Sequence, residues 1–378
     1  MQQFQIYSSI AMDDVLRVFM NESPADMQSL DLGKGVSSFN VFDYTDIHLT
    51  PRELSEYTGY GEINGLHSLR CSIARFYGEK YNYDLNPERV CITDGASGAL
   101  TLAYALLSIN GGNIIIPECC YPVYRIFSSL FALQTQTVNL SSDFNIDLIS
   151  LRKTIDNNTA ALVLNSPSNP FGSVLTDSDL EEICNLGVPV IFDEVYQALP
   201  LSTQKIPSAI HYADQHFIVN SFSKSLSIAG FRLGYIVVPE QYIDKMTNAK
   251  ATMNICTSLP SQSLGERLLR QWDFLIEKHQ EMLKKNWEKT AQELSRHHLR
   301  LRAIPKAGFF APLDVSDLNK NSFEVSLDLA REYALNTAPG VDFCSSDPKF
   351  IRLNFACPYA HIAPAIERIA QYMSDHKT

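Results

Sequence analysis

Residues 159–196, TAALVLNSPSNPFGSVLTDSDLEEICNLGVPVIFDEVY, decide the architecture. TAALVL and VPVIF are short continuous apolar runs, the pattern of strands buried on both faces. TDSDLEEICNL between them reads as a helix, so the stretch predicts strand, helix, strand with little chain to spare. The alternation continues on both sides. Upstream lie a helix over about 66–82 (GLHSLRCSIARFYGEKY), the strand-like RVCIT, the helix-like GALTLAYALLS, then NIIIP, YPVYRIFSSLFA and TQTVNL; downstream lie HFIV and GYIVV. This order predicts an α/β fold, a mostly parallel sheet covered by helices on both faces.

From about Ser261 to Arg296 a periodic stretch without proline predicts one long helix or two in succession. Beyond it come LRLRAI, GFFAPLDV, a helix near 323–335, FIRLNFA and a last helix from about 362, a smaller α+β unit joined by the first forty or so residues. The expected division is a large domain over 45–275 and a small one from 1–44 with 276–378. No repeat, low-complexity tract or flexible linker separates them.

The 378 residues are 45% hydrophobic and 19% charged, ordinary values for a globular protein. A formal net charge of -11 argues against nucleic acid or an anionic membrane as a general partner. The eight cysteines show no CxxC pair and no metal-like spacing with histidine, so they read as reduced thiols in a cytoplasm, and no metal site is expected. The adjacent Cys119 and Cys120 fit no motif. With no basic-then-apolar leader and no run of eighteen apolar residues, the expectation is a soluble intracellular protein.

The chemistry gathers where strands end. In NSFSKSLSIAGFRLGY (220–235) Lys224 follows the apolar run FIVN, at the edge where open α/β sheets bind ligands. A lone lysine there is ordinarily a surface residue; its company changes the reading. VPVIF ends in Asp193 and Glu194, with Tyr196 close behind, and a carboxylate buried alone is expensive. TAALVL ends in NSPSNPFG, where Asn169 sits between prolines and could equally be turn chemistry. TDGASGAL (93–100) runs from a strand into a helix with small residues that let backbone N–H groups approach an anion. A dinucleotide loop with Glu118 as the ribose acid is the rival reading. It has G-x-x-G in place of three glycines, and it leaves Lys224 and Asp193 unused. Pyridoxal 5'-phosphate would use them all: a lysine for its aldehyde, a carboxylate for its ring nitrogen, donors for its phenolic oxygen and an anion cradle for its phosphate.

The chain resembles the class I/II aminotransferases of the fold-type I pyridoxal-phosphate enzymes, from about Leu32 to the last helix. YGEINGLHSLR, TDGASGAL, PECCYPVY, NSPSNPFG, FDEVY, SFSKSLSIAGFRLGY and FIRLNFA occur in the family's order. The resemblance implies a large domain with a mostly parallel seven-stranded sheet between helices, plus a smaller α+β domain. It implies that Lys224 carries the cofactor as a Schiff base and shuttles a proton, that Asp193 keeps the ring nitrogen protonated, and that Tyr196 and Asn169 bond the phenolic oxygen. Ala96, Ser97, Ser221 and Arg232 would hold the phosphate, and Tyr121 would stack on the ring. Arg352 would grip the substrate carboxylate, and Lys34 and Gly35 would line the substrate side. Tyr60 would reach the phosphate of a neighbouring subunit, which implies a homodimer with shared active sites. Two departures stand out. Phe171 replaces a threonine common in the family, and only twenty-three residues separate Asn169 from Asp193.

The implied activity is transfer of the α-amino group of an amino acid to a 2-oxo acid. The lysine block serves equally a lyase, cyclase, decarboxylase or oxidase acting on an amino acid. A regulator built on this fold would need a DNA-binding domain, and only about thirty residues precede LDLGKG. No motif names the substrate side chain.

Overall fold

The computed structural model of the chain describes residues 11–344 and 348–376. Its strands are β1 (Leu30–Asp31), β2 (Val90–Thr93), β3 (Asn113–Pro117), β4 (Gln134–Val138), β5 (Thr159–Asn165), β6 (Val190–Asp193), β7 (Phe217–Ser221), β8 (Gly234–Val237), β9 (Phe310–Asp314), β10 (Leu335–Asn336), β11 (Ala338–Pro339) and β12 (Phe350–Asn354). Its α-helices are α1 (Ala11–Glu22), α2 (Pro51–Glu56), α3 (His67–Tyr81), α4 (Gly95–Leu107), α5 (Val123–Leu130), α6 (Leu148–Thr154), α7 (Asp177–Cys184), α8 (Phe222–Ser225), α9 (Ile243–Asn254), α10 (Leu259–Leu269), α11 (Trp272–Arg296), α12 (Ser322–Tyr333) and α13 (Tyr359–Asp375).

Seven strands form the central sheet in the order β2-β8-β7-β6-β5-β3-β4. Neighbours pair in parallel except around β8, which runs against both β2 and β7. Strands β2 to β7 therefore share one direction, and Thr93, Pro117, Val138, Asn165, Asp193 and Ser221 end them along one edge. Alternate residues of each strand face opposite layers, as a period of two requires. Ile92, Leu162 and Phe192 join Leu69, Ile73 and Tyr77 of α3 on one face. Cys91, Val163 and Ile191 join Leu100 and Tyr104 of α4 on the other. Helices α2, α7 and α12 begin with reciprocal caps, Thr50 with Glu53, Thr176 with Asp179 and Asn321 with Glu324, each satisfying amides that the first turn leaves open.

The expected Ser261–Arg296 helix is two, α10 and α11, broken around Arg270 and Gln271. Along α11, Ile276, His279, Leu283, Asn286, Thr290 and Glu293 are buried at steps of three and four, so one stripe faces inward although four of its six residues are polar. The C-terminal unit packs α11, α12 and α13 around the antiparallel sheet β11-β12-β9. The start of the chain joins it: β1 pairs with β10, and Val15 and Val18 of α1 pack on Ala330.

LRLRAI alternates like a strand but makes a single bridge, Leu301 to Leu313. Arg302 N–H donates to Pro312 O, and Pro312 has no N–H to return, so a ladder cannot grow there. The cysteines are not all reduced. Cys119 and Cys344, 225 residues apart, form a disulfide, because their backbones bridge in antiparallel fashion with Cα atoms 4.1 Å apart. No local spacing announces a pair made by tertiary packing. The other six cysteines are free.

Gly234 pairs with both Thr93 and Ser221 and lies against the start of α4, where a Cβ would come within 2.6 Å of the Gly95 carbonyl carbon and 2.8 Å of Ala96 N. A Cβ on Gly230 would meet nothing. Gly234→Ala is expected to lower the unfolding free energy by about 1–3 kcal/mol in urea titration. Gly230→Ala should move it by less than about 0.5 kcal/mol.

Candidate active site

At the carboxyl edge of the central sheet a cavity of about 370 Å³ is lined by residues of both units. Lys224 reaches it from α8, the single turn after β7. Its Nζ donates to Gly35 O at 2.6 Å, which ties the lysine loop to the segment after β1. Burial, together with the Arg352 and Arg232 cations, draws the ammonium down to about 8 against the opposing pull of Asp193.

Asp193 ends β6 and is 4% exposed. Tyr124 Oη–H donates to its Oδ2 at 2.7 Å and Val195 N–H to its Oδ1 at 3.3 Å. Among the described residues it has no ion-pair partner, and burial pushes it up to about 6. Glu194 turns the other way, into the core, where Ser208 Oγ–H and Ala209 N–H hold it at 2.8 and 2.6 Å. The two acids of FDEVY thus part: one faces the cavity, and the other is internal bracing.

Asn165 ends β5 directly opposite Asp193. It donates to Asp193 O and accepts the Asn169 N–H, both at 2.8 Å, so it hangs the NSPSNP turn on the strand that carries the acid. Asn169 Oδ1 accepts from Arg352 Nη1 at 3.0 Å. Tyr196 lies beside them with its ring edge against Phe309 and Phe310, and burial raises its hydroxyl well above the usual range.

Arg352 projects from β12 and is 2% exposed. Its guanidinium carbon lies 4.0 Å from the Phe310 ring centre and 4.9 Å from that of Phe343, and Nη2 donates to Gly33 O at 2.6 Å. Nε is buried without a partner, and among the described residues no carboxylate pairs with this cation. Burial lowers it to about 10. Asn354, two residues on, donates to Lys34 O and Val36 O at 2.7 and 2.6 Å and so sets the Gly33–Val36 segment over the cavity. Lys34 itself pairs with Asp31 at 3.0 Å.

The opposite end is an anion cradle. Helix α4 starts at Gly95 with φ +73°, and no side chain caps it. A Cβ on Gly95 would come within 2.7 Å of Arg232 Nη2, so glycine there is what lets the guanidinium reach the helix start. Arg232 donates to Asp94 O at 3.1 Å, while the Asp94 carboxylate is taken up by Asn254 Nδ2. Ala96, Ser97, Ser221, Ser223 and Arg232 all line this end.

The structure therefore brings together Lys224, Asp193, Tyr196, Asn169, Ala96, Ser97, Tyr121, Ser221, Arg232, Gly35 and Arg352. Tyr60 is not among them; it stands 82% exposed outside the cavity. The dinucleotide reading fails on topology, since β2 and β3 are separated by four strands and Glu118 accepts from Leu140 N–H. Phe171 is buried against Phe144 and Phe350. Sequence reasoning missed Tyr124, whose ring stands edge-on to Tyr121, and Asn165, although Asn165 closes its strand as Asp193 closes the next. It missed His279 as well, which reads as one more position on a helical stripe. His279 is fully buried and neutral, drawn down to about 4 by burial, and its ring nitrogens meet Ser225 O at 2.7 Å and Ser37 Oγ at 2.9 Å. It thereby braces the residue after Lys224 against the segment that contains Gly35.

Residues 39–369 match the family described as Aminotransferase class I and II. The (5-formylfuran-3-yl)methyl phosphate transaminase of Methanocaldococcus jannaschii is 26% identical over 327 residues, covering 84% of each chain. The tyrosine aminotransferase of Dictyostelium discoideum is 27% identical over 367 residues, 90% of this chain and 87% of that one. The crystal structure of an aminotransferase from Mycobacterium tuberculosis superimposes with a TM-score of 0.89 over 98% of both chains at 25% identity.

The raised Asp193 carries a testable sign. Its folded pKa is near 6 against an ordinary 3.8, so between those values the folded protein holds more proton than the unfolded one, and stability falls as pH rises through that window. Above it the full cost is present, on the order of 3 kcal/mol. The ligand-free Asp193→Asn protein is expected to be more stable than the parent at pH 7.5, with the gap closing towards pH 4 in paired urea titrations. A gap that stays constant with pH would assign it to something other than this carboxylate.

Proposed function

Since the chain belongs to the class I and II aminotransferases, a family of pyridoxal-phosphate-dependent enzymes, we propose that this cavity is where it moves the α-amino group of an amino acid to a 2-oxo acid. The donor set fits pyridoxal 5'-phosphate. Asp193 is a buried carboxylate with no ion-pair partner among the described residues, suited to a protonated ring nitrogen. Tyr196 and Asn169 would bond the phenolic oxygen. The uncapped start of α4 at Ala96 and Ser97, with Ser221 and Arg232, would hold the phosphate. Tyr121 would face the ring, and Lys224 is the amine for the aldehyde. When bound, the cofactor supplies a sink for the electrons of a bond broken at the substrate's Cα. Lys224 would take and return the Cα proton, and its lowered pKa leaves a useful share of free amine near neutrality.

The observation that carries the proposal is Arg352, a buried cation between two aromatic rings with one donor unfilled and, among the described residues, no carboxylate paired with it. It asks for an anion from outside the chain, and the planar fork of an arginine suits the α-carboxylate shared by every amino acid and 2-oxo acid. A carboxylate seated there places Cα in the same cavity as Lys224. The relatives' names point to different substrates, so none is carried over.

We also take the functional unit to be a homodimer. Tyr60 is exposed, and Gly61 N–H meets Cys256 Sγ at 3.4 Å, next to Ile255 and near Met253, which are exposed as well; these apolar side chains support an interface that offers Tyr60 to the partner's cavity. The 45–275 cofactor domain and the 1–44 with 276–378 small domain remain our division, supported by the seven-stranded sheet lying wholly in the first and the two small sheets in the second. No described helix is long and apolar enough to cross a membrane. Six free thiols support a cytoplasmic setting.

Two tests follow the two halves of the reading. With a panel of single amino acids, the holoenzyme should release the matching 2-oxo acid and leave the cofactor in its amine form, and Arg352→Ala should lower kcat/KM by roughly a hundredfold or more with cofactor content unchanged. Ammonia, carbon dioxide or peroxide with no matching oxo acid would replace transamination by another reaction. For the dimer, mixing inactive Lys224→Ala chains with inactive Tyr60→Ala chains under subunit exchange should restore activity through heterodimers that hold one intact site. An active monomer in sedimentation would overturn it.

A further inference from the structure

The Cys119–Cys344 disulfide joins two segments that both end at the substrate side of the cavity. Cys119 lies two residues past β3 and two before Tyr121, and Cys344 follows Phe343, whose ring packs on the Arg352 guanidinium. The residues around the bond carry the same join: Cys120 N–H donates to Phe343 O at 2.9 Å and Arg125 Nη1 to the same oxygen at 3.1 Å. One residue further, Asp342 accepts the N–H groups of Ala11 and Met12 at 2.8 and 2.7 Å. That anchors the start of α1 so that Met12 lines the cavity with Arg352 and Gly35. Phe343, Asp342 and Met12 thus hang on a segment that one covalent bond fastens to the loop bearing Tyr121.

The other side of the bond faces solvent. A cavity of about 420 Å³, separate from the active site, is lined by Cys119 together with Phe144, Phe171, Arg302 and Lys349. Cys119 is half-buried, whereas Cys344 is buried. A thiolate entering this cavity meets Cys119, with Arg302 and Lys349 among the residues of the wall. Exchange has to start from outside. The neighbouring Cys120 is a buried free thiol pushed up to about 12, too little ionised to attack the bond beside it.

We propose that Cys119–Cys344 is a redox modification site, opened by dithiols through the outer cavity, that sets how tightly the enzyme holds the substrate carboxylate. One thiolate of the dithiol attacks Cys119 Sγ, forming a mixed disulfide and releasing Cys344 as a thiolate that takes a proton. The second thiol of the dithiol then closes on the first, freeing the Cys119 thiol and leaving a cyclic disulfide. The protein gains two electrons and two protons, and the dithiol loses them. With the bond open, Phe343 and Met12 keep only hydrogen bonds and side-chain packing for their placement, and the hold of Phe343 on Arg352 loosens. In a reducing cytoplasm, a disulfide that persists only in part is the kind that reports redox state.

The proposal rests on the reading of Arg352 as the carboxylate site, and the test separates the two. Holoenzyme is equilibrated under argon in graded mixtures of reduced and oxidised dithiothreitol, alkylated, and mapped by mass spectrometry for the Cys119–Cys344 crosslink. Dialysed samples are assayed for KM of both the amino acid and the 2-oxo acid, for kcat and for cofactor content. Reduction should raise both KM values at least threefold with kcat changed less than twofold and cofactor retained, and reoxidation should reverse it. Cys119→Ser with Cys344→Ser should show the reduced-state KM at every dithiol ratio. A crosslink that resists 10-fold molar excesses of dithiol in the folded protein, one that never forms at the oxidised end, or quantitative reduction with unchanged KM each overturns the proposal. Arg352→Ala is run alongside: if it leaves KM unmoved, the carboxylate reading is what has failed, and if it raises KM while reduction does not, the fault lies with the clamp.

Discussion

Burial displaces the charges that line this cavity, and none of the three that matter most is neutralised by another. Lys224 is drawn down to about 8, Asp193 pushed up to about 6 and Arg352 lowered to about 10, and in each case loss of water is the largest cause. A folded chain holds such groups only if the surrounding structure more than offsets their cost. Here the offset comes from a sheet whose strands are packed on both faces and from a second core around β9 and β12. The same arrangement bears on the proposed binding. On the reading proposed above, a cationic ring nitrogen for Asp193 and a carboxylate for Arg352 would each restore what the fold withholds, so binding would relieve a cost already present in the empty protein.

The geometry that keeps these groups apart yet facing one space comes from backbone direction. Six strands run one way, so their ends and the residues after them share an edge, and β8 returns along the same edge to bring Gly234 against the start of α4. Single polar residues then stitch segments distant in sequence. Asn165 binds the NSPSNP turn to the Asp193 strand, Asn354 holds the Gly33–Val36 segment, and His279 links that segment to the lysine helix. Each is buried or partly buried and fully used, as a polar group inside a protein must be. Loss of any one would leave a donor or acceptor unpaired in the interior and let a catalytic group drift.

Legibility in the sequence follows from this division of labour. TAALVL and VPVIF announced themselves because strands buried on both faces can be written only in apolar residues, and Lys224, Asp193 and Asn169 stood out because they close such runs with groups that burial penalises. The direction of β8 was not legible, since GYIVV is as apolar as its parallel neighbours. Tyr124, Met12 and His279 lie on helices where an aromatic, a methionine or a histidine is ordinary packing. LRLRAI alternates like a strand, and it failed to become one because the partner position is a proline. The Cys119–Cys344 pair depends on how the C-terminal segment meets the loop after β3, a contact 225 residues long in sequence terms.

What remains unread is the side chain of the substrate, and the reason is structural. Cofactor and carboxylate sites must meet the same atoms in every reaction of this kind, so their residues recur in recognisable stretches at strand ends. The rest of the cavity wall must differ from one substrate to another, and in this chain it includes Met12 and Val36, one from a helix start and one from an irregular segment, with no spacing rule to mark either. Asp342 holds the start of α1 beside Phe343, which keeps Met12 at the cavity. The segment that packs on Arg352 thereby also carries Met12, so two parts of the cavity wall share one mechanical support.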